Sequence, residues 1–366
     1  MRVLTLNPGS SSVKAALVVD GTAVGWSAWE TNGSTVDERT IADAVGRWRE
    51  VDAVAVRFVH GGSRREPALV DEELLDALER LGRFAPLHQP QSVAIARAAR
   101  NVYRATPVVA CFDTAFHVDL PEAAAHYPLP REWTRQGRLR RYGFHGLSCQ
   151  YVARRAVAML DLDPAVARLV CCHLGAGVSV TAIHGGRGVD TSMGFTPLEG
   201  PAMATRSGTV DPGLLLYVME AASMSPAGMA DALYRRSGLA GMSGTSGDLR
   251  EVRAAVKAGE PDAVLALEVY LHRLRREIGG VAMSLPRLDA IVFTGGVAEH
   301  CPELVERLAD GLRLLGIVVD PARCAGTGDR VISPDGVSVA SMVLMAREDL
   351  ELARGAERTL THARTG

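Results

Sequence analysis

The sequence predicts an α/β fold built from two related halves, and two recurrences carry that reading. An apolar run, a polar turn containing Gly and a second apolar run occur at residues 3–19 and again at residues 169–183. A hydrophobe-Asp-Ala triplet opening an apolar strand that ends in Gly-Gly occurs from Val51-Asp52-Ala53 to Gly61-Gly62. It returns from Leu288-Asp289-Ala290 to Gly295-Gly296. Two elements repeated in the same order mean a duplicated unit rather than a short-period solenoid. At 366 residues each half can bury its own core. The expected domains are residues 1–117 plus about 341–366, and residues 118–340. Two such halves facing each other would form a cleft with a Gly-rich turn on each wall, which suits a nucleotide.

Element by element, residues 3–19 read as strand, turn, strand. The tip of such a turn offers backbone N–H groups and the hydroxyls of Ser10 and Ser12, donors that grip a phosphate, with Lys14 as counter-charge. Asn7 ends the first strand with a neutral oxygen that can face a cation or simply cap the turn. Residues 71–84 carry Leu74, Leu75, Leu78 and Leu81 at helical spacing behind an acidic first turn. Residues 91–103 form a second helix after Pro90, and residues 107–113 a strand ending on the carboxylate of Asp113. Residues 120–143, rich in Pro and Arg, read as an irregular crossing, and residues 151–160 as a helix. Beyond the second strand–turn–strand, residues 211–236 and 261–285 read as helical, and residues 237–247, rich in Gly and Ser, as a loop. The tail, residues 341–364, has helix-like spacing and is expected to pack back on the first domain.

Composition excludes several classes. A formal charge of −2, with 42 acidic residues against 40 basic ones, argues against a nucleic-acid partner. No apolar run approaches the roughly 20 residues of a membrane helix, and the chain opens on a strand rather than a signal peptide. The six cysteines show neither CxxC pairing nor metal-ligand spacing, which fits a reducing cytoplasm. Lys14 and Lys257 are the only lysines, so a lysine in the opening turn stands out from routine surface charge.

The densest polar stretch is Asp190-Thr191-Ser192-Met193-Gly194-Phe195-Thr196-Pro197-Leu198-Glu199-Gly200, followed by Ala204-Thr205-Arg206-Ser207-Gly208. It is too broken for a core element and reads as a functional loop. With the Asn7–Lys14 turn, this stretch resembles the acetate kinase family of the acetate and sugar kinase, Hsc70 and actin superfamily. The resemblance runs nearly end to end through Arg57-Phe58-Val59-His60-Gly61-Gly62, Phe84-Ala85-Pro86-Leu87-His88, Phe112-Asp113-Thr114-Ala115-Phe116-His117, Tyr142-Gly143-Phe144-His145-Gly146, His173-Leu174-Gly175, Asp248-Leu249-Arg250 and Phe293-Thr294-Gly295-Gly296.

The resemblance implies duplicated ribonuclease H-like domains of the actin type and reversible, direct in-line transfer from ATP to acetate or a short-chain relative. It implies that Arg57 and Arg206 flank the acyl carboxylate and the transferring phosphoryl group, with His145 donating to its equatorial oxygens. Guanidinium forks suit both anions and stay charged. Asp113 is implied to be catalytic, holding the Mg2+ shell or orienting an arginine. Val59, Leu87, Phe144 and Pro197 match the family's acyl pocket. Nucleotide contacts are implied for Ser10, Ser12, Lys14, His173, Leu174, Gly175, Ala176, Gly177, Asp248, Leu249, Arg250, Gly296, Val297, Ala298, Glu299 and His300. Mg2+ or Mn2+ is implied near Asn7, and the family is homodimeric.

Four departures stand against the match. Ala176 replaces the Asn of the family's His-Leu-Gly-Asn-Gly turn, Ala298 and His300 replace a Gly and an Asn, and Gln89 replaces the Asn after Leu-His. Aligning on Met345-Ala346-Arg347 places Ser341-Met342 at the family's Glu-Glu pair, so the metal-linked glutamate is missing by this reading and Glu348 is not its counterpart. Altered metal or nucleotide affinity, or another phosphoryl donor, is the expectation.

Overall fold

A computed structural model describes residues 1–9, 12–30, 38–46, 48, 50–137 and 139–365. Contacts divide the chain into two units: Met1–Asp119 with Tyr142–Tyr151 and Arg347–Gly366, and Leu120–Arg141 with Val152–Ala346.

The sheet of unit 1 contains β1 (Arg2–Pro8), β2 (Ser12–Val19), β3 (Thr22–Glu30), β4 (Ala53–Phe58), β5 (Ala68–Leu69) and β6 (Val108–Phe112), in the order β3-β2-β1-β4-β6-β5. Unit 2 contains β7 (Arg168–Leu174), β8 (Val178–His184), β9 (Arg187–Thr191), β10 (Ala290–Thr294), β11 (Arg330–Val331) and β12 (Ala340–Leu344), in the order β9-β8-β7-β10-β12-β11. Strand for strand the two orders coincide. The senses coincide too: β1 is antiparallel to β2 and parallel to β4, as β7 is to β8 and β10. The duplication read from sequence is therefore a duplication of topology.

The repeated Asp has the same task in each copy. Asp52 accepts from the Arg2 amide at 2.8 Å while its own amide donates to the Arg2 carbonyl. Asp289 does the same to Arg168, at 2.9 Å in both directions. Each Asp thus sets the register between the first strand of its unit and the parallel strand beside it.

Every residue of β4 and β10 is buried, as expected of central parallel strands covered on both faces. Alternation then assigns the faces in unit 1. Leu4, Leu6, Val54 and Val56 pack with Val93, Ile95, Ala96 and Ala99 of the helix Gln89–Val102. Val3, Ala53, Ala55 and Val109 face Leu352, Ala353 and Ala356 of the helix Glu348–Thr365. Burying Leu352 alone contributes roughly 1.5–3 kcal/mol.

Several expectations need correction. Residues 237–247 are not simply a loop: Gly238–Ser243 is a helix whose Leu239 is buried, closed by Gly244 at φ 70°. Its Leu239 and Ala240 amides donate to the Met203 and Ala204 carbonyls, bracing the segment that leads to Arg206. Residues 211–236 form two helices, Pro212–Ala221 and Pro226–Arg235, because Ser225 caps the second and Pro226 begins it. The tail is a strand before it is a helix. Residues 340–344 pair in parallel with β10 and belong to unit 2, so the chain passes to unit 1 at Arg347 rather than near 341. Tyr142–Tyr151, expected in the second domain, belongs to unit 1 because its turn is bonded to the Asp113–His117 segment.

Candidate active site

The parallel strands of unit 1 end together, and each end carries a polar group. Asn7 stands near the end of β1, Arg57 near the end of β4, and Asp113 directly after β6. Arg57 Nε and Nη2 donate to Asp113 Oδ2 at 3.1 and 2.6 Å, and Nη1 donates to Asn7 Oδ1 at 3.0 Å. Asn7 Nδ2 in turn donates to Glu348 Oε2 at 2.6 Å, and that oxygen lies 3.4 Å from Arg57 Nη1. Lys14 sits opposite Asn7 in the β1–β2 register, hence on the same face of the sheet, with its side chain exposed.

The cluster is buried: Asp113 is 0% exposed and Arg57 9%. Burial pulls the Arg57 guanidinium down, but Asp113 and Glu348 more than offset this and hold it above its ordinary value. Burial pushes the Asp113 carboxyl up, the negative charge of Glu348 adds to that, and Arg57 opposes both. Two carboxylates thus share one guanidinium, and among the described residues no well-formed hydrogen bond reaches Asp113 Oδ1, although the nearby Leu147 amide favours the charged carboxylate. A divalent cation would relieve that imbalance. Mg2+ takes one or two carboxylates and keeps waters for its remaining positions, so this oxygen-rich set fits it.

Glu348 corrects the sequence reading. The alignment on Met345-Ala346-Arg347 does not find it, and Glu348 joins the cluster by its place at the start of the helix Glu348–Thr365, beside Asn7 and Arg57. Ser341, placed earlier at the glutamate's position, lies inside β12 with a buried hydroxyl. The legible signal was the acidic first turn of the last helix, Glu348-Asp349.

His145 reaches the site through a strained turn. It adopts φ 55°, a left-handed conformation uncommon for a histidine, and is half-buried. The His117 ring hydrogen-bonds the Phe144 carbonyl through Nε2 at 3.0 Å. Gly146 packs so closely that a Cβ there would collide with the Asp113 carbonyl oxygen. Asp113 and His145 are therefore brought together by packing across the Asp113–His117 segment.

Of the residues in unit 1 that the resemblance implies for an acyl pocket, Val59 and Phe144 are buried and Leu87 is half-buried. Beside them, His60 is fully buried against the rings of Phe84, Tyr142 and Phe144, at centroid distances of 5.5, 4.5 and 5.8 Å. Its Nδ1 accepts from the Gly62 amide at 3.0 Å, and burial lowers its pKa to about 4. An unfolded histidine titrates near 6.5, so the unfolded chain binds more protons between about pH 6.5 and 4. Stability from this group is fully present above 6.5 and is lost as the pH falls toward 4. The expected loss is about 2 kcal/mol between about pH 7.5 and pH 5. Urea midpoints of the wild type and of His60→Gln at both pH values check this, since an equal pH slope in the two proteins would contradict it.

In unit 2 the decisive feature is Arg206. It is 6% exposed, its Nη1 donates to the Pro197 carbonyl at 2.8 Å, and Pro197 is itself buried. Burial lowers its pKa to about 10, Tyr234 opposes this only in part, and no carboxylate among the described residues counters it. A guanidinium buried without an acidic partner is costly unless an anion completes it. The loop that carries Pro197 is pinned on both sides. Tyr127 donates to Glu199 and accepts from the Phe195 amide at 2.8 Å. Arg141 donates to Glu199 at 2.7 Å and to the Ser192 carbonyl at 3.1 Å.

His173 and Leu174 end β7, and His173 pairs with Thr294 at the end of β10. The turn Gly175-Ala176-Gly177 and the glycines after Thr294 are therefore neighbours. Gly295 has φ 87°, and a Cβ there would lie 2.6 Å from the Leu174 carbonyl oxygen, so only glycine fits. Ala176, Gly296 and His300 are exposed, while Val297 is half-buried. Gly296–His300, expected as a turn, is a short helix. Two members of the implied nucleotide set are turned to structure: Ala298 is fully buried, and Glu299 accepts from the Ala346 amide at 2.9 Å. Asp248 caps the helix Leu249–Lys257 and pairs with Arg250, while Leu249 is buried. That helix adjoins the 296–300 segment through Arg253, which donates to Cys301 Sγ at 3.4 Å. In unit 1, Ser12 opens β2 half-buried, and Ser10 lies outside the described residues.

Twin α/β units of one topology, the first with Asn7, Arg57 and Asp113 gathered where its parallel strands end, are the duplicated α/β fold of the actin type. Comparison with known proteins narrows this class. The chain belongs to the acetokinase family, whose family model matches residues 30–354. It is 44% identical over 336 residues to an acetate kinase of Synechococcus sp., covering 91% of this chain and 81% of that protein. It is 37% identical to an acetate kinase of Nostoc punctiforme, over 97% of this chain and 98% of that one. Among solved structures, acetate kinase of Porphyromonas gingivalis aligns with TM-score 0.88 at 32% identity, over 98% of this chain and 99% of that chain. A propionate kinase of Francisella tularensis aligns with TM-score 0.89 at 30% identity, over 97% and 98%.

Proposed function

We propose that this kinase phosphorylates acetate with ATP, reversibly and by direct in-line transfer, giving acetyl phosphate and ADP. The observation that carries the reading is the buried cluster of Arg57 with Asn7, Asp113 and Glu348 in unit 1, in addition to which unit 2 supplies the buried Arg206 with no carboxylate partner among the described residues in that unit. Phosphoryl transfer is mainly positioning and charge stabilisation, and these are the charges it needs.

In this mechanism Arg57, held on Asp113 and Asn7, orients the acyl carboxylate, and Asp113 keeps that arginine aimed. Arg206 neutralises charge that spreads onto the equatorial oxygens of the phosphoryl group, and His145 donates to the same oxygens. Glu348 and Asp113, with Asn7 acting through water, would hold Mg2+, which would supply positive charge against the phosphate oxygens of the nucleotide. Val59, Leu87, Phe144 and Pro197 hold the acyl methyl. Glycine turns at 175–177 and 295–296, with Lys14, Ser10 and Ser12, receive nucleotide phosphates, while Asp248, Leu249 and Arg250 lie toward the adenosine.

The helix Pro212–Ala221 has no buried residue and exposes Leu214, Leu216 and Tyr217, so a second copy of the chain is its natural cover in a homodimer. Equilibrium sedimentation reads this directly. No described helix is long and apolar enough to cross a membrane. The six cysteines are free, which supports a reducing compartment such as the cytoplasm for this reaction. A coupled assay of ADP release with acetate, propionate and butyrate tests the function. Release that depends on a short carboxylate is expected. ADP release independent of carboxylate would make the protein an ATPase, and nucleotide binding without release a regulator.

A further inference from the structure

We propose that Gln89 sets the width of the acyl pocket, and with it the chain length of the accepted carboxylate, by clamping the main chain of His60. The proposal rests on the reading of Val59, Leu87 and Phe144 as acyl-pocket walls. Gln89 begins the helix Gln89–Val102 and is fully buried, an expensive place for a primary amide unless all its groups are bonded. They are. Its Oε1 accepts from the His60 amide at 3.1 Å, and its Nε2 donates to the His60 carbonyl at 2.8 Å and to the Leu78 carbonyl at 3.2 Å.

One carboxamide thus binds both main-chain groups of a single residue, as a neighbouring strand would, just where β4 has ended and its ladder no longer fixes the chain. The residue before His60 is Val59, and two residues before Gln89 is Leu87. Two walls of the pocket are therefore tied by one side chain: Leu87 through the backbone that bears Gln89, Val59 through the main chain that Gln89 grips. The third wall joins them, because the clamped His60 packs its ring on Phe144 at 5.8 Å. The reach of this one amide fixes the gap between the walls. Acetate and propionate differ by one methylene, so small wall movements decide between them.

The test is kcat/KM for acetate, propionate and butyrate in Gln89→Asn, Gln89→Met and Val59→Ala of the full chain. Asn is one methylene too short to hold all three bonds. Met keeps the volume of Gln without the amide, and so guards against a variant that fails to fold. A single methylene in an apolar pocket is worth about 10–200-fold in selectivity. The propionate-to-acetate ratio should move by about threefold or more in at least one Gln89 variant, with the KM for ATP unchanged. Equal losses for all three acids in both Gln89 variants, alongside a shifted ratio in Val59→Ala, would leave the pocket in place and overturn the role of Gln89. An unmoved ratio in Val59→Ala would overturn the pocket reading itself, and the clamp's role with it.

Discussion

Replacing Arg206 by Ala should lower kcat for acetyl phosphate formation by about 10³–10⁵, the range of charge-stabilising arginines in phosphoryl transfer. The same substitution should leave thermal stability level or slightly raised. Arg206 is buried against a single carbonyl, with burial depressing its pKa to about 10, so the folded protein carries an uncompensated charge there. Removing it gives up one hydrogen bond, worth about 1 kcal/mol, and relieves the desolvation of a cation. A structural arginine behaves in the opposite way, its loss lowering stability first. Arg57 supplies the contrast within the same molecule. Its removal strands Asp113 and Glu348 in a buried site and should cost roughly 3–5 kcal/mol of stability as well as activity. Melting curves and initial rates of Arg206→Ala therefore distinguish an anion-binding group from a packing group.

Glu348→Gln should weaken Mg2+ binding by about 10–100-fold, the range found for residues that shape a metal site. Gln keeps the volume and can still accept from Asn7, so the hydrogen bond at 2.6 Å has a successor while the charge is gone. With that charge removed, one upward push on the Asp113 carboxyl disappears and the cluster no longer carries excess negative charge. Calorimetric titration of Mg2+ into the ADP-bound protein reads the change without recourse to turnover. Unchanged Mg2+ affinity would place the metal elsewhere and return Glu348 to a purely structural role.

These two residues show what was and was not legible in the chain. The duplicated fold was open to reading because parallel strands buried on both faces need uninterrupted apolar runs, and because Asp52 and Asp289 mark the same register bond in both copies. Arg57, Asp113 and Arg206 lay in motifs too specific to miss. Glu348 was passed over because no motif marks it: it stands outside the alignment on Met345-Ala346-Arg347 and joins the cluster only through the fold. A helix-like tail hides the fact that its first residues complete a sheet in unit 2. Only the strand β12 shows that the helix, and with it Glu348, must begin later. The helix at 238–243 was hidden for a different reason: its Gly and Ser content favours a loop, and it is the burial of Leu239, with the Leu239 and Ala240 amides bonded to the Met203 and Ala204 carbonyls, that overrides propensity. His60 and Gln89 gave no sequence signal beyond their motif, because a side chain bonded to a distant main chain leaves no periodicity.

Phosphorus NMR of a mixture of the enzyme, ATP, Mg2+ and acetate tests the central claim most directly. The account predicts an acetyl phosphate resonance growing in step with ADP, dependent on acetate and lost in Arg206→Ala. Inorganic phosphate growing in its place, with or without acetate, would contradict it.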